Sequence, residues 1–169
     1  MARNKFVDAV KKLCAGIVCT LFLSSTTALG APLSENNLAI MDTGSGNLLH
    51  IVATDQTKYD PMGTNVLSVK IFGDENGGLG SEWPEPVLFS SFSGPGQIRQ
   101  TGENNTISLS ISGTGNYISA AQSGLENQLF GTITGQGNAA AVSQVGHGHT
   151  VSFSQNGTRN SLAISQSAW

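Results

Sequence analysis

The chain has 169 residues, with eight Lys and Arg against eleven Asp and Glu, only 11% charged positions and a formal charge of −3. So sparse and slightly acidic a charge set lacks the basic footprint that nucleic-acid binding requires. Its two cysteines, Cys14 and Cys19, both lie near the N-terminus, so no disulfide can staple the rest of the chain.

Arg3, Lys5, Lys11 and Lys12 precede an apolar run from Leu13 to Leu23, which gives way to small and polar residues ending in Ala28-Leu29-Gly30. This pattern predicts a secretory signal peptide over residues 1–30, cleaved after Gly30. The run of 11 residues is too short for a membrane span, which takes about 20. Cys14 and Cys19 leave with it, and neither stands in the small-residue context that a lipid-anchored cysteine requires. The exported part, residues 31–169, keeps Lys58, Lys70, Arg99 and Arg159 against ten carboxylates. Its stability must then come from backbone pairing and apolar burial.

Residues 31–96 carry a degenerate repeat. Asn36 is followed by Leu38, Ile40 and Asp42, then Gly44 and Asn47, then Leu49, Ile51 and Ala53, which reads as one coil. The beat resumes seven residues late with Asn65, Leu67, Val69, Ile71, Gly73 and Asn76, making Thr57 to Gly63 an inserted loop. A second loop is expected from Gly77 to Pro86, where Pro84, Pro86 and three glycines oppose a strand. From Val87 and Phe89 onward the register is expected to return, with Gly94 in an asparagine slot.

Residues 97–169 carry the regular repeat. Asparagine recurs every 11 residues at Asn105, Asn116, Asn127, Asn138 and Asn160, with His149 in the remaining slot. Glycine keeps the same beat three residues earlier, at Gly102, Gly113, Gly124, Gly135, Gly146 and Gly157, where positive φ would form tight turns. Five residues before each asparagine slot stand Gln100, Ile111, Gln122, Ile133, Gln144 and Gln155, with Gln166 one period later. Their alternation makes the true period 22 residues.

After each slot, alternate positions are apolar or amide: Ile107, Leu109 and Ile111, then Ile118, Ala120 and Gln122, and so on to Leu162, Ile164 and Gln166. Period two predicts strands with this set inward. Thr106, Ser108, Ser110, Thr150, Ser152 and Ser154 fall on the opposite, wet face. The expected unit is a strand of about five or six residues and a turn of about five, twice over. One such coil cannot fold alone, because six inward side chains at about 1.5 to 3 kcal/mol each do not offset about 1 to 2 kcal/mol of ordering per residue. Stacking must supply the rest.

The expected fold is therefore all-β: a β-solenoid of stacked 22-residue strand-turn-strand coils with amyloid-like cross-β geometry. A buried glutamine amide satisfies its donors and acceptors best on its own kind, so Gln100, Gln122, Gln144 and Gln166, with Gln155 in the other half, are the predicted stacking ladder. Asn105 is expected over Asn127, and Asn116 under Asn138 and Asn160. Solenoids that stay monomeric close their ends with atypical caps. No cap is recognisable here, so self-association through open strand edges is expected.

Written out, Gln144-x-Gly146-x-x-His149-x5-Gln155-x-Gly157-x-x-Asn160-x5-Gln166 resembles the curlin repeat, Ser-x5-Gln-x-Gly-x-x-Asn-x5-Gln, of bacterial curli subunits. The resemblance covers about residues 97–169 well and Asn36 to Asn76 in outline. It implies a secreted subunit that passes a curli-type outer-membrane pore and joins extracellular amyloid fibres, or fimbriae, serving cell adhesion and biofilm matrix. Related curlin subunits would be its partners. Ile111 and Ile133 depart from the glutamine columns, and His149 from the asparagine column. The leading serine is kept loosely, Ser161 falling five residues before Gln166. Almost no room remains for the secretion-targeting stretch that curlin major subunits carry ahead of their repeats. Both a major and a minor, nucleating subunit fit, and the degenerate first half leans towards the minor one.

Other chemistry is weaker. His147 and His149, with His50 the only other histidine, read as turn residues and not as a metal site. Asp55, Asp60, Asp74 and Glu75 lack the spacing of a calcium loop. No nucleophile, base and orienting group recur together, and the glycines lack a phosphate-loop ending, so neither an enzyme, a cofactor nor a small-molecule substrate is expected. The competing reading is a monomeric β-solenoid that binds ice or carbohydrate. Its outward ranks, Tyr117, Ser119, Ala121 and then Gln128, Phe130, Thr132, are too mixed for a regular recognition face.

Overall fold

A computed structural model describes residues 18–26, 37–56 and 64–168, with side chains described from residue 37 onward except at 54–56. The expected Thr57 to Gly63 loop and Asn36 lie outside the described residues, as does the segment read as a signal peptide apart from the backbone of residues 18–26. All regular structure described is β. Eleven strands, β1 (Val18–Thr26), β2 (Asn37–Asp42), β3 (Leu48–Gln56), β4 (Val66–Phe72), β5 (Gln97–Glu103), β6 (Thr106–Thr114), β7 (Tyr117–Leu125), β8 (Gln128–Gln136), β9 (Ala139–His147), β10 (Thr150–Thr158) and β11 (Ser161–Ala168), are divided between two parallel sheets.

Sheet A runs β1-β3-β5-β7-β9-β11 and sheet B runs β10-β8-β6-β4-β2. Consecutive strands alternate between the sheets, so the chain winds as a β-solenoid. Partners in its regular part are 22 residues apart, as in Ile107↔Leu129↔Val151 and Gln100↔Gln122↔Gln144. The irregular half joins the same stack: Leu38 pairs with Leu67, and Leu67 with Ile107.

The core is the inward set that the alternation predicts. Leu49, Ile51, Leu67, Val69, Ile71, Ile98, Ile107, Leu109, Ile111, Ile118, Leu129 and Ile133 are buried between the sheets. Volume is balanced coil against coil. Gly131 sits in the column where Leu109 lies below and Phe153 above, and a methyl group there would overlap both.

The turns are shorter than the spacing suggests. β6 and β7 are nine residues each and only Gly115 and Asn116 separate them. The glycines of the repeat do have positive φ, from 109 to 128° across the six of them. They nevertheless remain on the ladder, Gly113 over Gly135 and Gly135 over Gly157. The backbone bends there without leaving the sheet, because the glycine above bends identically. A second positive φ falls immediately before eight of the slots, at Gly46, Gly115, Gly137 and Gly148, and at the non-glycines Glu75, Asn104, Glu126 and Arg159 with φ of 56–57°.

The expected return of the register at Val87 is wrong. Asn76 already fills the slot beneath Asn116, and the next strand begins at Gln97. Residue partners of β4 and β6 are 40 apart, 18 more than the period, which is the length of the insertion. Val87 is 91% exposed, and Phe89 is buried outside the solenoid. Phe89 stacks on Trp83 with ring centroids 4.3 Å apart, and both rest on the outer face of sheet A against Ala139 and Ala141, with Tyr117 and Ala163 at the margin. Trp83 Nε1 donates to the Ser93 carbonyl at 3.1 Å. The expected wet face of sheet A is thus covered here, and Ser119 is only 2% exposed. Large aromatics gain more by covering alanines than a proline-interrupted segment gains by pairing.

The two kinds of glycine respond differently to a methyl group. A Cβ on Gly113 would collide with the Gly135 carbonyl oxygen, whereas one on Gly115 meets nothing. Gly115→Ala is expected to destabilise by about 1 to 2 kcal/mol, the left-handed penalty alone, and Gly113→Ala by several times that, as read from denaturant midpoints.

Candidate functional site

The residues singled out by spacing form three internal columns. In sheet A the glutamines form a continuous amide ladder: Gln100 Nε2 donates to Gln122 Oε1 at 3.1 Å, Gln122 to Gln144 at 2.8 Å and Gln144 to Gln166 at 3.2 Å. The second hydrogen of Gln122 and of Gln144 goes to a main-chain carbonyl 16 residues back, that of Thr106 and of Gln128. Gln100 donates instead to Val66 O at 3.2 Å. Each amide therefore bridges both sheets and joins successive coils. The ladder has a defined direction, donors pointing towards the C-terminal coil. It starts over Ala53, which leaves Gln100 Oε1 buried and without a partner.

Gln155 does not belong to that ladder. It lies in sheet B over Ile133, which can donate nothing, so its Oε1 is also buried and unpartnered while its Nε2 donates to Ala139 O at 3.1 Å.

The asparagines occupy the two corners of the coil. Asn127 Nδ2 donates to Asn105 Oδ1 at 3.0 Å, and Asn138 Nδ2 to Asn116 Oδ1 at 3.0 Å. The same Oδ1 atoms accept the main-chain N–H of Asn127 and Asn138, both at 3.1 Å. Nδ2 also reaches the glycine carbonyl of the following coil, Asn105 to Gly124 at 2.9 Å and Asn116 to Gly135 at 3.1 Å. This explains why glycine and asparagine keep one beat. Asn160 accepts its place through its backbone, donating N–H to Asn138 Oδ1 at 3.0 Å, while its own Nδ2 turns to Asn156 O. His149 does likewise on Asn127, and its ring Nε2 lies 3.1 Å from Val145 O.

Both columns extend further than the regular repeat. Asn105 Nδ2 donates to Asn65 Oδ1, and Asn116 Nδ2 to Asn76 Oδ1, while Asn76 Nδ2 donates in turn to Asn47 Oδ1. The sequence placed these three on the beat, and equal burial with Asn105 and Asn116 makes them full members. What spacing could not show is the alanine shelf beneath Trp83 and Phe89. The available signal was alanine at the outward positions 121, 139, 141 and 163, where other coils carry hydroxyls.

Two contacts of titratable side chains lie at the corners. His147 Nε2 lies 3.1 Å from Glu126 Oε2 with both side chains well exposed, a geometry that contributes little in water. The N–H of Ser45 and then its hydroxyl donate to Asp74 Oδ1, holding that carboxyl below its ordinary value of 3.8. Among the described residues, no three His, Cys, Asp or Glu come together as a metal site, and no helix is long and apolar enough to cross a membrane.

Sheet B ends, among the described strands, in β2 on one side and β10 on the other. Among the described residues nothing pairs with the outer edges of β2, β10 or β11, whereas β1 occupies that of β3. Compared with known proteins, the chain matches no family model, no curated protein and no solved structure.

Gln122→Leu would strand the Gln100 donor and the Gln144 acceptor together. A loss of about 2 to 4 kcal/mol is expected, against a change within about 0.5 kcal/mol for the exposed Ser154→Ala, both measured by urea unfolding. The Asp74 clamp should respond to acid. A lowered folded pKa means that its contribution is present above the unfolded value of 3.8 and is lost as pH falls through the folded one. Hydrogen exchange at the Ser45 amide should accelerate over that window relative to neighbouring turns, and Asp74→Asn should abolish the pH dependence.

Proposed function

We propose that this chain is a secreted structural subunit of curli-like amyloid fibres on the bacterial surface, self-assembling by coil stacking and serving adhesion and biofilm matrix as a major or a nucleating subunit. The observation that supports this reading best is the continuity of the amide columns up to the last coil. Gln166 ends one column and Asn160 another, while the edges of β10 and β11 are unpaired among the described residues. A parallel β edge of this length with in-register columns is a template for a further strand at about 4.7 to 4.8 Å. The asparagine corners and the Gln100-Gln122-Gln144-Gln166 column repeat one bond pattern from coil to coil, which a second copy could extend. Related curlin-type subunits and an outer-membrane secretion pore would be the partners.

The competing reading, a monomeric binder of ice or carbohydrate, draws on the hydroxyl ranks of sheet B, where Thr150, Ser152 and Ser154 stand over Gln128, Phe130 and Thr132. Phe130, Phe72 and Lys70 break those ranks.

Residues 31–169, purified and incubated at micromolar concentration, should give seeded thioflavin T kinetics and a meridional reflection at about 4.7 to 4.8 Å. The chain retaining residues 1–30 should assemble after a longer lag, because β1 occupies the β3 edge. A persistent monomer with β circular dichroism in both forms would overturn the fibre reading in favour of the binder.

A further inference from the structure

One inward column of sheet B is apolar in its middle and polar only at its two ends. It runs Asp42, Ile71, Ile111, Ile133, Gln155. Asp42 Oδ1 accepts from Gly44 N at 3.1 Å and from Asn47 Nδ2 at 2.7 Å, whereas its Oδ2 is shielded from solvent with no partner. At the other end Gln155 Nε2 has made the bond to the carbonyl 16 residues back that Gln122 and Gln144 also make. In those two residues the remaining hydrogen goes to the amide oxygen one coil further on. For Gln155, one coil further on means a second molecule.

We propose that Asp42 and Gln155 form a polar lock between two copies of this chain stacked head to tail, β2 of one on β10 of the other. The proposal rests on the self-assembly reading above and adds polarity and register to it. Continuing the ladder by one coil brings Asp42 of the second copy over Gln155, so the donor without an onward acceptor meets the shielded oxygen without a donor. A charge-assisted hydrogen bond results where the interior of the column has isoleucine. The neighbouring columns agree with the same register: Leu38 comes over Val151, Ile40 over Phe153, and the main-chain N–H of Asn47 over Asn160 Oδ1. A slip of one residue would place all three inward pairs against outward ones. Joining two β2 edges would leave both carboxylates without the glutamine donor. On sheet A, β1 holds the β3 edge that β11 of the next copy needs, so the contact belongs to the form that has lost residues 1–30.

The lock is tested in the exported protein with two exposed outward positions that face each other only in this register, Ala39 and Ser152. Separate Ala39→Cys and Ser152→Cys chains are exported, mixed, assembled and oxidised, and disulfide-linked peptides are identified by mass spectrometry. Cα atoms on neighbouring strands are close enough for a disulfide. The expected product is the mixed 39–152 link, with few 39–39 or 152–152 links. Fibres that form but give only like-with-like links, or none, would overturn the proposed polarity and register while leaving self-assembly intact. Failure of the unsubstituted chain to assemble at all would remove both. As a second measurement, Gln155→Ile removes the donor but extends the isoleucine column, so the chain still folds. Its seeded elongation should slow about tenfold, as expected for a lost hydrogen bond to a charged group, and unchanged elongation would overturn the lock.

Discussion

Each corner of this solenoid depends on one hydrogen bond, from a main-chain N–H to the asparagine Oδ1 of the coil before it. The bond recurs at Asn76, Asn105, Asn116, Asn127, Asn138, His149 and Asn160. A buried peptide N–H left unbonded where the chain turns would cost about 1 to 3 kcal/mol at every corner. Asparagine is suited to the task because its short side chain places one acceptor under that N–H and aims its own NH₂ at the next oxygen. The corner thereby fixes coil over coil without tolerance for a slip, and everything between corners, strand register and core columns alike, inherits that alignment. His149 shows which part of the bond is indispensable: the slot accepts any residue whose backbone can donate, provided the coil below supplies the amide oxygen.

This explains why so much of the architecture was legible in one sequence. Repeat spacing is set by the corner, so asparagine and glycine at 11-residue intervals reveal coil length, and period-two apolar residues reveal which side is inward. The glutamine ladder followed from the 22-residue alternation and is present bond for bond from Gln100 to Gln166. Less legible were features decided by packing across the stack. The strands run through their glycines because a bend copied in the neighbouring coil keeps its hydrogen bonds, a fact no single turn propensity contains. Gln155 was grouped with the ladder on residue type, whereas its neighbour Ile133 excludes it.

The insertion between β4 and β5 was the largest departure, and its cause is also physical. Pattern reading extended the strand grammar back to Val87 and Phe89 because alternating apolar residues look alike whether they face a core or a shelf. Trp83 and Phe89 instead cover Ala139 and Ala141 on the outside of sheet A. That placement makes the two faces of the solenoid unequal. Sheet A carries an aromatic strap, and sheet B presents hydroxyls and Phe130 to water.

Directionality follows from the same amides. Asparagine and glutamine donate and accept at opposite ends of one short group, so a column of them is polar along its axis: every Gln100-type donor points to the C-terminal coil, and every Asn105-type acceptor receives from it. A stack built this way has unlike ends. One ends in Gln155, Gln166 and Asn160, the other in Asp42 in sheet B, and copies stacked by repetition of the internal bonds would join only unlike ends. The irregular first half is then not a decayed repeat. Asp42, in place of isoleucine, falls at the outer end of its column in sheet B, where no described strand lies beyond it, and Ala53, in place of glutamine, pairs with Leu23 of β1.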